Sequence, residues 1–160
     1  SENAIYIGGG TGIADGIILK NKIVDLRNSK KIKRSWELTM PTGKSVEYYL
    51  SLGGMLNQWG KGISFKGMES LFEHATSGDI AACQIIENAS MAFDYLIKNR
   101  ISFFHSHCAA PEKIIVGQRL GSMLSDDDSP ISRVIFQKNL AIPIEISTHR
   151  NTAAFGNIST

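Results

Sequence analysis

The run Ile5-Tyr6-Ile7-Gly8-Gly9-Gly10-Thr11-Gly12-Ile13-Ala14-Asp15-Gly16-Ile17-Ile18 constrains this chain more than any other stretch. Two short apolar strands flank a turn richer in glycine than packing alone requires. Glycine lets the backbone take positive φ and approach a ligand closely, so successive N–H groups can face an anion, and Thr11 adds a hydroxyl. The run reads as a β-hairpin suited to phosphate groups, with a ligand-free glycine-rich hairpin as the alternative.

Two other glycine signatures fail on spacing. A dinucleotide fingerprint, Gly-x-Gly-x-x-Gly ahead of a helix, would need its third glycine at Ile13 or at Asp15, and Gly16-Ile17-Ile18-Leu19 reads as a strand. The segment Pro41-Thr42-Gly43-Lys44-Ser45 ends as a P-loop ends, but Leu38 stands where that loop's first glycine belongs.

At 160 residues, 42% of them hydrophobic, the chain is expected to form a single domain, 1–160, with a sizeable core. Seventeen Lys and Arg against fifteen Asp and Glu leave a formal net charge of +2, too little to drive nucleic-acid or membrane binding. The cluster Lys30-Lys31-Ile32-Lys33-Arg34 therefore reads as a solvated turn. No stretch is apolar enough to span a bilayer and none has the pattern of a signal peptide, which makes a cytoplasmic location the expectation. Cys83 and Cys108 lack the spacing of a disulfide framework and are expected to be reduced. His105, His107 and Cys108 lie within four residues without a distant fourth ligand, so they read as a polar helix end and no metal site is expected.

Strands are expected over 4–8 and 16–24, turning at Asn21-Lys22. Ser45 is placed to cap a helix through Val46, Tyr49, Leu50, Leu52 and Leu56 that ends near Gly60, and a short helix follows from Lys66 to Ala75. Asp79 caps the clearest helix, whose apolar positions Ala82, Ile85, Ile86, Ala89, Phe93, Leu96 and Ile97 recur at three and four residues, with a break expected near Asn99-Arg100. Lys113-Ile114-Ile115-Val116-Gly117 reads as a buried strand leading to a helix near Leu120. A helix through Val134, Ile135 and Leu140, a strand over 142–146 and a closing helical segment at 152–156 complete the order. Strand and helix alternate through the second half, which predicts an α/β domain with an at least partly parallel sheet.

This order, and three short motifs within it, resemble the C-terminal lobe of the ROK family of repressors and sugar kinases, in the actin, sugar kinase and Hsp70 superfamily. Gly10-Thr11-Gly12-Ile13-Ala14-Asp15-Gly16 matches the family's second phosphate motif, with alanine for one glycine. Ile114-Ile115-Val116-Gly117-Gln118-Arg119-Leu120-Gly121 matches its adenosine segment, with Gln118 in place of the second glycine of a Gly-Gly pair. Ala153-Ala154-Phe155-Gly156 resembles the closing helix. The resemblance implies a ribonuclease H-like, actin-like ATPase lobe, a mixed β-sheet with packed helices. It also implies ATP phosphates at Gly10, Thr11, Gly12 and Gly16, and adenosine at Gly117, Gln118 and Gly121.

By the same resemblance Glu37 and Glu47 fall on the two glutamates that hold sugar hydroxyls, although each alone would read as a surface carboxylate. Met40 stands at the family's histidine, and a thioether cannot donate a hydrogen bond in its place. The cysteines of the family's zinc loop are absent from 40–45. Its first phosphate motif and its catalytic Asn-Asp pair belong to an N-terminal lobe and do not occur here, so no catalytic residue is assigned, and Asp15 reads as part of the phosphate turn. Two functions are implied. One is the ATP- and Mg2+-binding lobe of a glucokinase-like sugar kinase, needing an N-terminal lobe and open to homodimer formation. The other is a noncatalytic effector domain of a sugar-responsive repressor, or a degenerate pseudokinase, that meets nucleic acid only through a separate domain.

Overall fold

The computed structural model of the chain describes residues 2–26, 32–60, 65–138 and 141–147. Strands β1 (Ala4–Gly9) and β2 (Ile13–Leu19) form an antiparallel hairpin, paired from Ala4 with Ile18 to Gly9 with Ile13. The expected second strand begins earlier than Gly16, and it does not run to 24. Lys20 and Asn21 take positive φ of 52° and 69°, which reverses the chain into the two-residue β3 (Lys22–Ile23). On the other side of β1, β4 (Lys113–Gly117) and β5 (Ile144–Ile146) pair in parallel, giving the order β3-β2-β1-β4-β5. The sheet is mixed, as the alternation of strand and helix predicts.

The helix expected over 45–60 is two helices, α1 (Val46–Leu50) and α2 (Leu52–Trp59). Ser45 caps α1 by accepting the Tyr48 N–H. Ser51, extended at φ −72° and ψ 155°, ends α1 and caps α2 by accepting the Gly54 N–H. Gly54 permits the tight junction, because a Cβ there would sit 2.6 Å from the Glu47 carbonyl oxygen. Gly60, at φ 79°, closes α2 in the left-handed conformation that favours glycine.

Helix α3 (Phe65–Thr76) leads into α4 (Ile80–Ser106), which runs 27 residues without the break expected near Asn99-Arg100. The reason is Arg100, which lies on the buried stripe between Ile97 and Phe104 and is fully enclosed. Asp79 caps α4 as expected, accepting the Ala82 N–H at 2.9 Å. Asp79→Ala should therefore cost about 1 kcal/mol in urea unfolding. Helices α5 (Gln118–Ser125) and α6 (Pro130–Lys138) complete the described elements, α5 starting two residues before Leu120. Leu140 and the closing 152–156 segment lie outside the described residues.

Register places Ile5, Ile17 and Ile114 in one row across the sheet and Ile7, Asp15 and Val116 in the next on the same face. These isoleucines and Val116 are fully buried in a core shared with Ile86, Ala89, Phe93 and Leu96 of α4. Helix α4 packs in turn against α1, α3 and α6. No helix among the described residues is long and apolar enough to cross a membrane.

Candidate functional site

The hairpin tip, Gly10-Thr11-Gly12, is seated on the start of α2. The Leu52 N–H donates to the Gly10 carbonyl and the Gly53 N–H to the Thr11 carbonyl, both at 3.0 Å. Gly53 is required by this approach, since a Cβ there would lie 2.7 Å from the Thr11 carbonyl oxygen. The Gly10 N–H turns back to the Gly12 carbonyl at 2.9 Å, and the Ile13 N–H donates to Glu47 Oε2 at 3.0 Å. With its carbonyls so engaged, the tip keeps two exposed backbone donors and a hydroxyl. The Thr11 and Gly12 N–H groups and the Thr11 side chain make no hydrogen bond with any described residue.

The glycines of the run separate by cause. A Cβ on Gly8 would meet the Tyr6 hydroxyl at 2.7 Å and Gln118 Oε1 at 3.0 Å, and one on Gly9 would meet Leu120 Cβ at 3.1 Å. Gly12 faces Glu47 Oε2 at 3.0 Å in the same sense. Gly10 has no such reason: a Cβ there would meet nothing within 4 Å, and its φ lies outside the left-handed region. Gly16 sits away from the tip, buried in β2 opposite Tyr6. Burial holds the Tyr6 phenol above its ordinary pKa and so in its neutral form.

Strand β4 ends beside the tip, and Gly9 bridges to Gln118. Gln118 takes φ 58°, the conformation for which a second glycine would be the natural residue, so the departure from Gly-Gly leaves the backbone path intact with a side chain added. Gly121 is needed where α5 crosses β4, because a Cβ would lie 2.7 Å from the Val116 carbonyl oxygen. Next to Thr11 opens a cavity of about 800 Å3, lined by the apolar Leu52, Met68 and Phe72 and by the charged Glu69, Arg119 and Asp126. Sequence reasoning missed these lining residues, since nothing local distinguishes them from any other helix surface.

The structure brings Glu47 to the hairpin tip, where one oxygen is spent on Ile13 and Oε1 makes no hydrogen bond with any described residue. Glu37 is elsewhere: its Oε1 accepts from Arg34 Nε at 3.0 Å, and this contact holds its carboxyl below the ordinary range. The two carboxylates are held by different partners, Ile13 for Glu47 and Arg34 for Glu37, and share no hydrogen bond among the described residues. Met40, at the expected histidine position, is buried in the core.

Asp15 is not part of the phosphate turn. It lies in β2, its side chain 1% exposed, with Oδ2 2.6 Å from Arg100 Nε and Oδ1 2.9 Å from Arg100 Nη2. The Ser35 N–H donates to Oδ1 at 3.2 Å, which ties the segment before Glu37 to the hairpin. At the end of α4, His107 Nδ1 lies 3.0 Å from the Phe103 carbonyl, and no group of three or more His, Cys, Asp or Glu side chains converges among the described residues.

No family model and no curated protein matches the sequence. Solved structures do. A ROK family protein from Streptococcus pneumoniae TIGR4 in complex with sucrose is 17% identical at a TM-score of 0.65, the match covering 99% of this chain and 57% of that one. A ROK family glucokinase from Streptomyces griseus in complex with glucose and AMPPNP is 13% identical at 0.57, covering 99% and 60%. A ROK family transcriptional regulator, a homolog of the E. coli MLC protein, is 18% identical at 0.57, covering 98% and 44%. At these identities the likeness is one of fold. This chain spans little more than half the length of the first two proteins and less than half of the third.

Proposed function

We propose that this chain, as one domain, is the nucleotide-phosphate-binding lobe of a ROK-type sugar kinase, incomplete for catalysis without a second lobe. The observation that carries the reading is Gly10, a glycine that neither packing nor backbone strain explains, set beside two exposed N–H donors and a free hydroxyl. Such a tip suits the anionic oxygens of a nucleotide, and the adjoining cavity has apolar side chains for a base and Arg119 for further negative charge. Glu69 and Asp126 line the same space and suit a Mg2+ ion, which is commonly held by one or two carboxylates together with phosphate oxygens. When bound, that ion would neutralise phosphate charge. The Streptomyces griseus glucokinase, bound to glucose and AMPPNP, supports ATP as the nucleotide.

A sugar would meet Glu47, whose Oε1 is free to accept from a hydroxyl, and Glu37 once released from Arg34. A homodimer would use the exposed Ile80 and Met91 on α4. The site of catalysis, with its general base, belongs to the second lobe, and a cytoplasmic location fits an ATP-dependent reaction.

A second reading has its own observation. Met40 is buried where the imidazole would stand and Glu37 is engaged by Arg34, which favours a noncatalytic effector domain or a degenerate pseudokinase. Thermal unfolding with Mg2+ and ATP separates the two. At about ten times Kd, ATP should stabilise the chain by about 1.4 kcal/mol, a rise of about 3–6 °C in Tm for a chain of this size. No rise at millimolar ATP, with a rise on adding glucose alone, would select the effector reading.

A further inference from the structure

Gln118 holds a left-handed backbone conformation, φ 58°, that is unfavourable for any residue with a Cβ. Its surroundings impose that conformation. Gly9 bridges to Gln118, and three residues on Gly121 packs α5 so closely on β4 that a Cβ there would lie 2.7 Å from the Val116 carbonyl oxygen. A glycine at 118 would meet the same demand without strain, so the backbone gives no reason for a glutamine.

Packing and hydrogen bonding give none either. The residue is exposed, and its carboxamide makes no hydrogen bond with any described residue. What the side chain does is cover Gly8: a Cβ on Gly8 would meet Gln118 Oε1 at 3.0 Å and Cδ at 3.2 Å. Gly8 pairs with Gly117 at the carboxyl ends of the parallel strands β1 and β4, the edge at which open α/β sheets take their ligands. The carboxamide thus fills space at that edge which a second glycine would leave open. The cavity beside Thr11 is lined by other residues, and Thr11 and Gly12 at the tip stay exposed.

A nucleotide with its phosphates at the tip could lay its nucleoside against the strand ends only where the Gln118 side chain has swung aside, and its apparent affinity falls with the fraction of molecules in that state. Phosphates alone meet no such obstacle. We propose that Gln118 is a specificity-determining residue that screens the strand ends from a nucleoside and leaves the phosphate contacts open, so that the chain discriminates little between a nucleoside triphosphate and a bare phosphate chain. The inference rests on phosphate binding at the hairpin tip, as proposed above.

The test is calorimetric titration of the parent, Gln118→Gly and Gln118→Ala with ATP and with inorganic tripolyphosphate, each with Mg2+ at fixed ionic strength. Parent affinities for the two ligands should agree within about threefold. Both variants should bind ATP about threefold to tenfold more tightly, the range that goes with ordering one flexible side chain, while tripolyphosphate affinity stays unchanged. The Tm of Gln118→Gly should not fall, since glycine relieves the strain. Alanine keeps that strain, so a gain confined to Gln118→Gly assigns the effect to backbone freedom and overturns the proposal. ATP affinity left unchanged or weakened in both variants also overturns it, while saturable tripolyphosphate binding still upholds the hairpin tip. Absence of binding by both ligands to all three chains overturns it together with the phosphate reading of the tip.

Discussion

Replacing Asp15 by alanine should lower the stability of this chain by about 3–5 kcal/mol in urea unfolding. The change leaves the Arg100 guanidinium fully buried, stripped of bonds at 2.6 and 2.9 Å, and it frees the Ser35 N–H as well. Arg100→Ala should cost a similar amount by stranding the carboxylate. The double variant Asp15→Leu, Arg100→Met should cost less than either single change, because both charges leave the low-dielectric interior together and apolar volume replaces them. Near-additive losses would show that the two groups act separately. The pair matters to the site because it fixes β2, the root of the hairpin, to α4 and to the chain just before Glu37.

That pair was legible in part. Ile13, Asp15 and Ile17 alternate along one face of a strand, and Arg100 falls three and four residues from Ile97, Leu96 and Phe104 on the apolar stripe of its helix. Each charge alone looks misplaced; only together do they make a buried ion pair. Reading Asp15 by its motif put it in the turn, and the break expected near Asn99-Arg100 overlooked the place of Arg100 on the buried stripe. Pairing across 85 residues satisfies both, and local pattern cannot reveal such a distance.

Other elements came through because their signals are local. Asp79 caps α4, Gly60 ends α2, and the β-branched run at 113–117 is a strand. The split at Ser51 was missed because a serine both continues an amphipathic pattern and caps a new helix, and the choice depends on where α2 must dock against the hairpin. Glu47 was placed beside a sugar by its motif; the structure adds a bond to the hairpin that no spacing rule contains. The cavity beside Thr11 arises from elements far apart in sequence, so its lining could be seen only once the chain was folded.

The second large effect concerns binding rather than stability. Gly10→Val should leave the unfolding free energy within about 0.5 kcal/mol of the parent, as expected of a half-buried position whose new Cβ meets nothing within 4 Å. Bulk above the tip would nonetheless keep phosphate oxygens from the Thr11 and Gly12 N–H groups, two charge-assisted bonds whose loss corresponds to at least about a hundredfold in Kd. Gly8→Ala gives the contrast: its Cβ would strike the Tyr6 hydroxyl and Gln118, so it should lose about 1–3 kcal/mol of stability.

The most direct measurement of the central claim is therefore the affinity of ATP with Mg2+ for the parent chain and for Gly10→Val, taken beside their urea unfolding curves. Parent affinity in the range that thermal shift detects, lost in Gly10→Val at equal stability, is the predicted result. Equal affinity of the two chains for ATP, or a Gly10→Val chain that loses binding only because it unfolds, would contradict the assignment of the hairpin tip to nucleotide phosphate.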